Sequence, residues 1–265
     1  MLFVPFDAGL RKLSLDVCMQ CKFVWFDARE YVVFAEQPTM TEEPGKLVDK
    51  KWKWIPAILG MPVERQTHPI LVRPWLTWSC ALVISLVSVA AFMNLQAAVS
   101  HLGLIPADLW RYGGLTLLTA FFLHAGWFHL ISNVYFLVVF GDNVEDYLGR
   151  LRYLWLLLLA TLAGDALHIA LDPHSTMSVI GASGGISGLV AFYGLQFPEA
   201  RIAVLLTRFF WWPLRMRART ALLLWFLLQF LLAWLQAAGR SNISALAHLG
   251  GAAVGLVFWL VWRSR

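Results

Sequence analysis

The sequence has few charged residues: Asp, Glu, Lys and Arg make up 14% of its 265 residues, whereas hydrophobic residues make up 59%. Soluble domains carry about a quarter charged residues, so this composition excludes an ordinary soluble protein and indicates a membrane protein. The net charge of +5 is also modest. We attribute it to lysines and arginines beside the membrane, and we expect no nucleic-acid partner.

Cysteine is scarce as well, since the chain has only three. Three cysteines cannot form the disulfide framework of a small secreted domain. The N-terminus also lacks the pattern of a secretory signal, which is a basic patch, a short apolar core and a cleavage site. Cys18 and Cys21 have the spacing of a zinc knuckle. A structural zinc needs four ligands and this segment offers two, so a metal site and two ordinary thiols both stay open.

Long apolar runs begin at Leu76, whereas many of the charges precede it. Because roughly 20 apolar residues span a bilayer as a helix, we predict a cytoplasmic lobe over 1–75 and a membrane domain over 76–263. In the lobe, the alternating apolar stretches of 13–34 predict a β-rich element. The charged composition of 39–53, with a proline and a glycine, is typical of a linker.

Six helices are predicted in the membrane domain, over 76–100, 119–140, 153–171, 181–197, 220–238 and 242–262. The fourth is shorter than a full span, so its neighbours must shield it from lipid. Asp165 and His168 lie together in the third and could pair. The basic, aromatic segment 198–219 is typical of a stretch that lies in the membrane interface.

Arginine and lysine are frequent after the second and fourth helices and rare after the first, third and fifth. The positive-inside rule therefore places both termini in the cytoplasm. The fourth and sixth helices then begin at the outer face. We expect a multi-pass protein of a bacterial inner membrane whose site opens to the outer side.

Polar residues inside predicted spans are functional candidates, because they are costly in a membrane. Ser183 begins the fourth helix among glycines, His248 lies in the sixth, and His129 and Asn133 share one face of the second. A serine hydroxyl needs a neighbouring base, and an imidazole can accept its proton near neutrality. The two side chains of the second helix and the Ser183 amide can donate hydrogen bonds to an oxyanion.

Each of these residues also has a structural explanation. Small residues spaced four apart are common where membrane helices pack, which fits the glycines around Ser183 as well as Gly251 and Gly255. His248 could be a hydrogen-bonded core histidine, and His129 and Asn133 could bond between helices. The combination of all of them, on three helices at compatible depth, favours catalysis.

These residues together resemble the rhomboid intramembrane serine proteases over about 76–263. The resemblance depends on Trp110-Arg111 in the first loop, His124, His129 and Asn133 in HAGWFHLISN, Glu145 in GDNVEDYLG, Gly181, Ser183 and Gly184 in GASG, and His248, Gly251 and Gly255 in AHLGGAAVG. It implies an all-α bundle of six transmembrane helices in which Ser183 is the nucleophile and His248 the general base, without an acidic third member. His129, Asn133 and the Ser183 amide would form the oxyanion hole, and no cofactor would be needed for catalysis.

The resemblance has one departure and one extension. Some members carry an aromatic ring four residues after the serine, stacked on the histidine, and this chain has Ser187 there. This departure leaves the orientation of the imidazole open.

Around Cys18 and Cys21 the lobe resembles the second half of a zinc ribbon of the transcription-factor-IIB type. The missing pair of cysteines would fall before Met1, so a structural zinc is expected only if the ribbon is complete.

The implied substrates are transmembrane helices of other proteins within the lipid bilayer. One alternative is an inert rhomboid-like binder of membrane proteins, and the intact Ser183 and His248 argue against it. Another is a metal or proton transporter that uses the membrane histidines. A transporter needs acidic residues along a continuous path, yet most acidic residues lie at helix ends.

Overall fold

The computed structural model describes residues 2–7, 12–17, 24–25, 63–64, 72–206, 212–240 and 243–264. Cys18, Cys21 and the predicted linker 39–53 lie outside the described residues. The chain divides into two compact units, 1–50 and 51–264. The domain division at residue 75 stays a prediction.

The first unit contains a three-stranded antiparallel sheet. Strands β1 (Leu2–Asp7), β2 (Lys12–Val17) and β3 (Val24–Trp25) follow one another in the sheet as in the chain. The first hairpin pairs Leu2 with Val17 and Asp7 with Lys12. The sheet therefore starts upstream of the β-rich element that we predict for 13–34.

The second unit is mostly helical, which confirms the all-α membrane class. Its helices are α1 (Trp75–Phe92), α2 (Leu95–Leu102), α3 (Thr116–Thr119), α4 (Trp127–Leu148), α5 (Arg150–Leu171), α6 (Ser183–Gln196), α7 (Ala218–Ala237) and α8 (Ala245–Trp262). Short 3-10 turns lie at Pro106–Asp108, Arg111–Gly114 and Ala120–Phe122.

Four of these helices, α1, α5, α7 and α8, are long and apolar enough to cross a membrane. The segment 116–122 followed by α4 adds a fifth candidate, bent by 97° at its break. Helix α6 has 14 residues and is shorter than a span, as the sequence predicts. A count of six membrane crossings stays a prediction.

Two predicted helices have the wrong bounds. The first ends at Phe92, because the Asn94 side chain accepts a hydrogen bond from the Ala97 amide (3.2 Å) and caps a new helix, α2. The second is interrupted after Phe122 and resumes as α4, which extends to Leu148. His124 therefore lies in the break and not inside a helix.

The interface segment predicted over 198–219 contains a β-hairpin. Strands β5 (Arg201–Leu206) and β6 (Trp212–Arg217) pair antiparallel, and β4 (Val63–Glu64) adds to the other edge of β5. Arg201 faces Arg217 and Ala203 faces Arg215, so the three arginines lie on one face of the sheet. Glu199 forms ion pairs with Arg217 (3.1 Å) and Arg219 (3.0 Å). The position of this hairpin in the membrane interface stays a prediction.

Glycines bring the backbones of α5, α6 and α8 into close contact. A Cβ added to Gly164 would lie 2.6 Å from Ala247 O, and one added to Gly250 would lie 2.5 Å from Ala163 O. A Cβ on Gly251 would overlap Gly184 O, and one on Gly255 would overlap Gly188 O. Helix α6 is buried over most of its length, at 184–189 and 191–194. It is thus the central helix, shielded by neighbours that glycine allows to approach.

We expect Gly251→Ala to lower the free energy of unfolding by about 1–3 kcal/mol, because the methyl group forces α6 and α8 apart. Gly126→Ala is the matched control. Gly126 has nothing within 4 Å of the added Cβ, and its φ of 166° is extended backbone. Thermal unfolding in detergent micelles measures both variants. Equal midpoints for the two variants would contradict the close packing of α6 and α8.

Candidate active site

Ser183 is the first residue of α6, and the turn before it depends on Gly181. Gly181 has a φ of 127°, in the region that side chains other than glycine rarely adopt. A Cβ there would also lie 2.9 Å from Cε1 and Nε2 of His129. The Gly181 amide donates to Ala120 O (2.9 Å), and Val179 pairs with Leu104. These contacts hold the start of α6 against the loop region 103–122.

The structure brings Ser183 and His248 together. The distance from Ser183 Oγ to His248 Nε2 is 2.8 Å, although the two residues are 65 positions apart. The glycine contact between α6 and α8 makes this possible, since both residues lie near the helix starts on packed neighbours. A hydroxyl within hydrogen-bond reach of an imidazole nitrogen is the arrangement that nucleophilic catalysis requires.

The other ring nitrogen of His248 has a partner that the sequence analysis missed. Gln229 of α7 is 4% exposed, and its Oε1 lies 2.8 Å from His248 Nδ1. A glutamine in the middle of the apolar run LLLWFLLQFLLAW is a polar residue inside a predicted span. The reasoning that selected the other candidates could therefore have found Gln229.

His129 lies beside the residues that precede Ser183, as the close approach to Gly181 shows. Its Nδ1 accepts a hydrogen bond from the Ala125 amide (3.3 Å). A neutral imidazole with an accepting Nδ1 carries its proton on Nε2. His129 therefore presents an N–H donor on the side of Gly181.

Asn133 is 7% exposed and lies one turn after His129 on α4. Its Nδ2 donates to His129 O (2.8 Å), which uses one of the two N–H groups of the amide. At the start of α6 no side chain of the described residues caps the helix. The first amides of a helix have no partner within the helix, so the Ser183 amide and its neighbours are further donors.

His124 contacts His129 and not Ser183. It is fully buried, and its ring packs edge-on against the His129 ring with centroids 4.8 Å apart. Ser88 Oγ donates to Phe122 O (2.8 Å) and lies 2.9 Å from His124 Nδ1. The Ser88 hydroxyl has one hydrogen, so Nδ1 of His124 is the donor in that contact. His124 thus ties the break before α4 to α1.

Two other motif residues, Arg111 and Glu145, join separate elements of the second unit. Arg111 donates to Ser100 O and, at 2.6 Å, to Gly103 O, which fastens its loop to the end of α2, whereas Trp110 is 76% exposed. Glu145 is 1% exposed and accepts from the amides of Leu76 (3.0 Å) and Thr77 (2.8 Å). It thereby satisfies free amides at the N-terminus of α1.

Two contacts near the site bear on points that the sequence leaves open. Ser187 is buried, and its hydroxyl donates to Ser183 O (2.7 Å). Asp165 and His168 could pair by their sequence positions, but the described residues show no hydrogen bond or ion pair between them. His168 Nδ1 instead lies 2.6 Å from Ser244 Oγ and 3.3 Å from Gln236 Nε2, because the end of α5 packs beside the start of α8.

Comparison with known proteins gives a consistent result. The family model of the Rhomboid domain matches residues 106–265. "Rhomboid-like protein 11, chloroplastic" of Arabidopsis thaliana is 37% identical over 156 residues, which cover 54% of this chain and 50% of that protein. "Rhomboid-related protein 1" of Caenorhabditis elegans is 31% identical over 160 residues, covering 59% and 41%. "RHOMBOID-like protein 1" of Arabidopsis thaliana is 31% identical over 159 residues, covering 60% and 36%.

The chain therefore spans half or less of the length of these relatives. The family match covers more than half of the chain. It includes α3 to α8 and every motif residue of the candidate site from Trp110 to Gly255. Together with the apolar helices, this match shows that the chain is a multi-pass membrane protein of the rhomboid family.

Proposed function

We propose that this chain is a serine endopeptidase that cleaves transmembrane helices of other membrane proteins. Ser183 is its nucleophile and His248 its general base. The observation that carries the proposal is the 2.8 Å contact between Ser183 Oγ and His248 Nε2. The family has members without activity, so the proposal depends on this contact and not on the family alone.

In the proposed reaction, His248 Nε2 takes the hydroxyl proton as Ser183 Oγ attacks the carbonyl carbon of the scissile bond. The negative charge then develops on the carbonyl oxygen. The Nε2–H of His129, the second N–H of Asn133 and the Ser183 amide are the donors available to it. The helix dipole of α6 stabilises the same charge.

The tetrahedral intermediate collapses when the protonated His248 gives its proton to the leaving nitrogen, which breaks the peptide bond. A water then attacks the acyl carbon while His248 again accepts a proton, and Ser183 leaves with that proton. Two residues complete the cycle, and no metal or organic cofactor takes part. A structural zinc would belong to the N-terminal lobe, held by Cys18 and Cys21, and only if the ribbon is complete.

Substrate access is proposed to involve α7. A peptide bond within a helix is protected, and the bilayer holds little water. Only 11% of the α7 span is buried, against 39% of α8, so α7 is the span least held by its neighbours. A sideways shift of α7 would admit a transmembrane segment, and residues that destabilise a helix near the cleaved bond would favour cleavage.

The topology of the proposal follows from the loop charges. Both termini are cytoplasmic, and the site opens to the outer side of a bacterial inner membrane. Ser183 then lies near the outer end of α6, where water and a locally unwound segment can meet.

We expect a fluorophosphonate probe to label the purified protein in liposomes, with the adduct on Ser183 by mass spectrometry. We also expect the same preparation to cleave a single-span substrate protein within its membrane segment. An inert binder would retain such a protein without cleaving it and without reacting with the probe. That result would contradict the proposal.

A further inference from the structure

Helix α7 packs on the bundle through a narrow face that includes one buried glutamine. Its buried residues are Ala218, Leu222 and Gln229. Many of its leucines are exposed, among them Leu223, Leu227 and Leu231. A buried amide is costly unless it is hydrogen-bonded. The partner of Gln229 Oε1 is His248 Nδ1, at 2.8 Å.

This contact selects between the two neutral forms of His248. A neutral imidazole carries one N–H and one lone pair. If Nδ1 holds the proton, it donates to the amide oxygen of Gln229, and the lone pair of Nε2 faces Ser183 Oγ. In the other form, the lone pair of Nδ1 faces the amide oxygen and Nε2 cannot accept from Ser183. The distances of 2.8 Å on both sides of the ring fit the first form.

We infer that Gln229 is the positioning residue of His248, which holds the imidazole in its proton-accepting form and in line with Ser183. The inference rests on the proposed function of these two residues. In some family members an aromatic ring stacks on the histidine and orients it, and here Gln229 orients the His248 ring instead. Ser187, at the stacking position, has no ring with which to stack, and its hydroxyl donates to Ser183 O (2.7 Å).

The contact between Gln229 and His248 also makes the position of His248 depend on the packing of α7 against the bundle. Leu222, Gln229 and Gln236 are spaced seven apart and thus lie along one face of the helix. Leu222 packs at Gly194, where an added Cβ would come within 2.9 Å of its Cδ2. Gln236 accepts from the Leu246 amide (3.3 Å). The Gln229 oxygen reaches His248 only while this face is packed on the bundle. A shift of α7 that admits substrate must be reversed before His248 is aligned again.

The test compares Gln229→Met, Gln229→Glu and a matched control, Gln236→Met, by the rate of fluorophosphonate labelling between pH 5 and pH 9. The small probe reports on Ser183 and His248 without requiring a bulky substrate to enter. We expect Gln229→Met to slow labelling by about tenfold to a hundredfold, which is less than the whole contribution of proton transfer, because His248 itself remains. Gln236→Met should stay within about twofold, since its amide contacts His168 and Leu246 and not the base.

Gln229→Glu keeps the shape of the side chain and adds a charge. A carboxylate beside Nδ1 stabilises the protonated imidazole, which cannot accept a proton from Ser183. The acidic limb of the labelling profile should therefore move to higher pH by about one unit or more. A residue 229 that does not lie beside Nδ1 would produce no such displacement. Because this variant is isosteric, its profile tests the contact with His248 even if Gln229→Met does not fold.

The inference and the proposed function fail in different ways. If the wild-type protein does not react with the probe, the proposed function is wrong. If the wild type reacts and both Gln229 variants match its rate and its pH profile, only the role of Gln229 is wrong. Equal losses in Gln229→Met and Gln236→Met, with an unchanged profile for Gln229→Glu, would also overturn it, because they would point to the packing of α7 alone.

Discussion

Ser183→Ala is expected to abolish both cleavage and probe labelling, with a fall in rate of more than about a thousandfold. The variant loses the oxygen to which the proposed function assigns the acyl bond, while its smaller side chain fits the same turn. Ser183 is half-buried at the start of α6 and contacts His248 through Oγ. The thermal unfolding midpoint should therefore stay close to that of the wild type.

Ser187→Ala is the matched control for this prediction. Ser187 lies one turn later on the same helix, is 5% exposed, and donates to Ser183 O. Its loss removes one hydroxyl from α6 without touching the contact with His248. We expect labelling to remain within a few fold of the wild type. Undiminished cleavage by Ser183→Ala would show that the nucleophile is elsewhere.

The second large effect is expected for His248→Ala, which should lower cleavage and labelling by about a thousandfold or more. Without the imidazole, no other base among the described residues lies within hydrogen-bond distance of Ser183 Oγ to accept its proton, and the leaving nitrogen receives none. The Ser183 hydroxyl remains in place, so any residual reaction depends on the oxyanion donors alone.

The described residues offer a demanding control for His248, because they contain two other contacts between a serine and a histidine, one of which is that of Ser88 with His124. His168 Nδ1 lies 2.6 Å from Ser244 Oγ. A short hydrogen bond is therefore no proof of catalysis. Ser183 differs because it begins a helix behind Gly181, and the His129 ring of α4 lies beside Gly181. We expect His168→Ala to keep at least about half of the labelling rate, and a probe adduct on Ser244 in the wild type would overturn the assignment.

The element bounds that sequence reasoning missed have more than one physical cause. The break before α4 is held by contacts of His124 with Ser88 of α1, and no local pattern encodes such a contact. The charged end of α4 is stabilised as a helix because the Glu145 carboxylate accepts hydrogen bonds from amides of α1, at 2.8–3.0 Å. Segment 198–219 has an apolar and arginine-rich composition. Its arginines at 201, 215 and 217 fall on one face of the hairpin, because side chains alternate between the two faces of a strand.

Gln229 is the most consequential of these omissions. Its chemical type inside an apolar span was visible, yet its partner depends on how α7 packs against α8. A side-chain amide can form hydrogen bonds with many kinds of partner, and only the folded position of the His248 ring identifies the partner of Gln229.

Apolar run length and the spacing of polar residues within those runs were sufficient to determine the membrane class, the approximate positions of most helices and the candidates Ser183, His248, His129 and Asn133. These properties are local, because a span needs a given length of apolar chain and a helix face repeats every few residues. The tertiary structure alone decided that Ser183 meets His248, that His129 presents its Nε2–H beside Gly181, and that Gln229 holds the far side of the imidazole. Such contacts join residues far apart in the chain through backbones that approach over glycine, and their distances depend on packing.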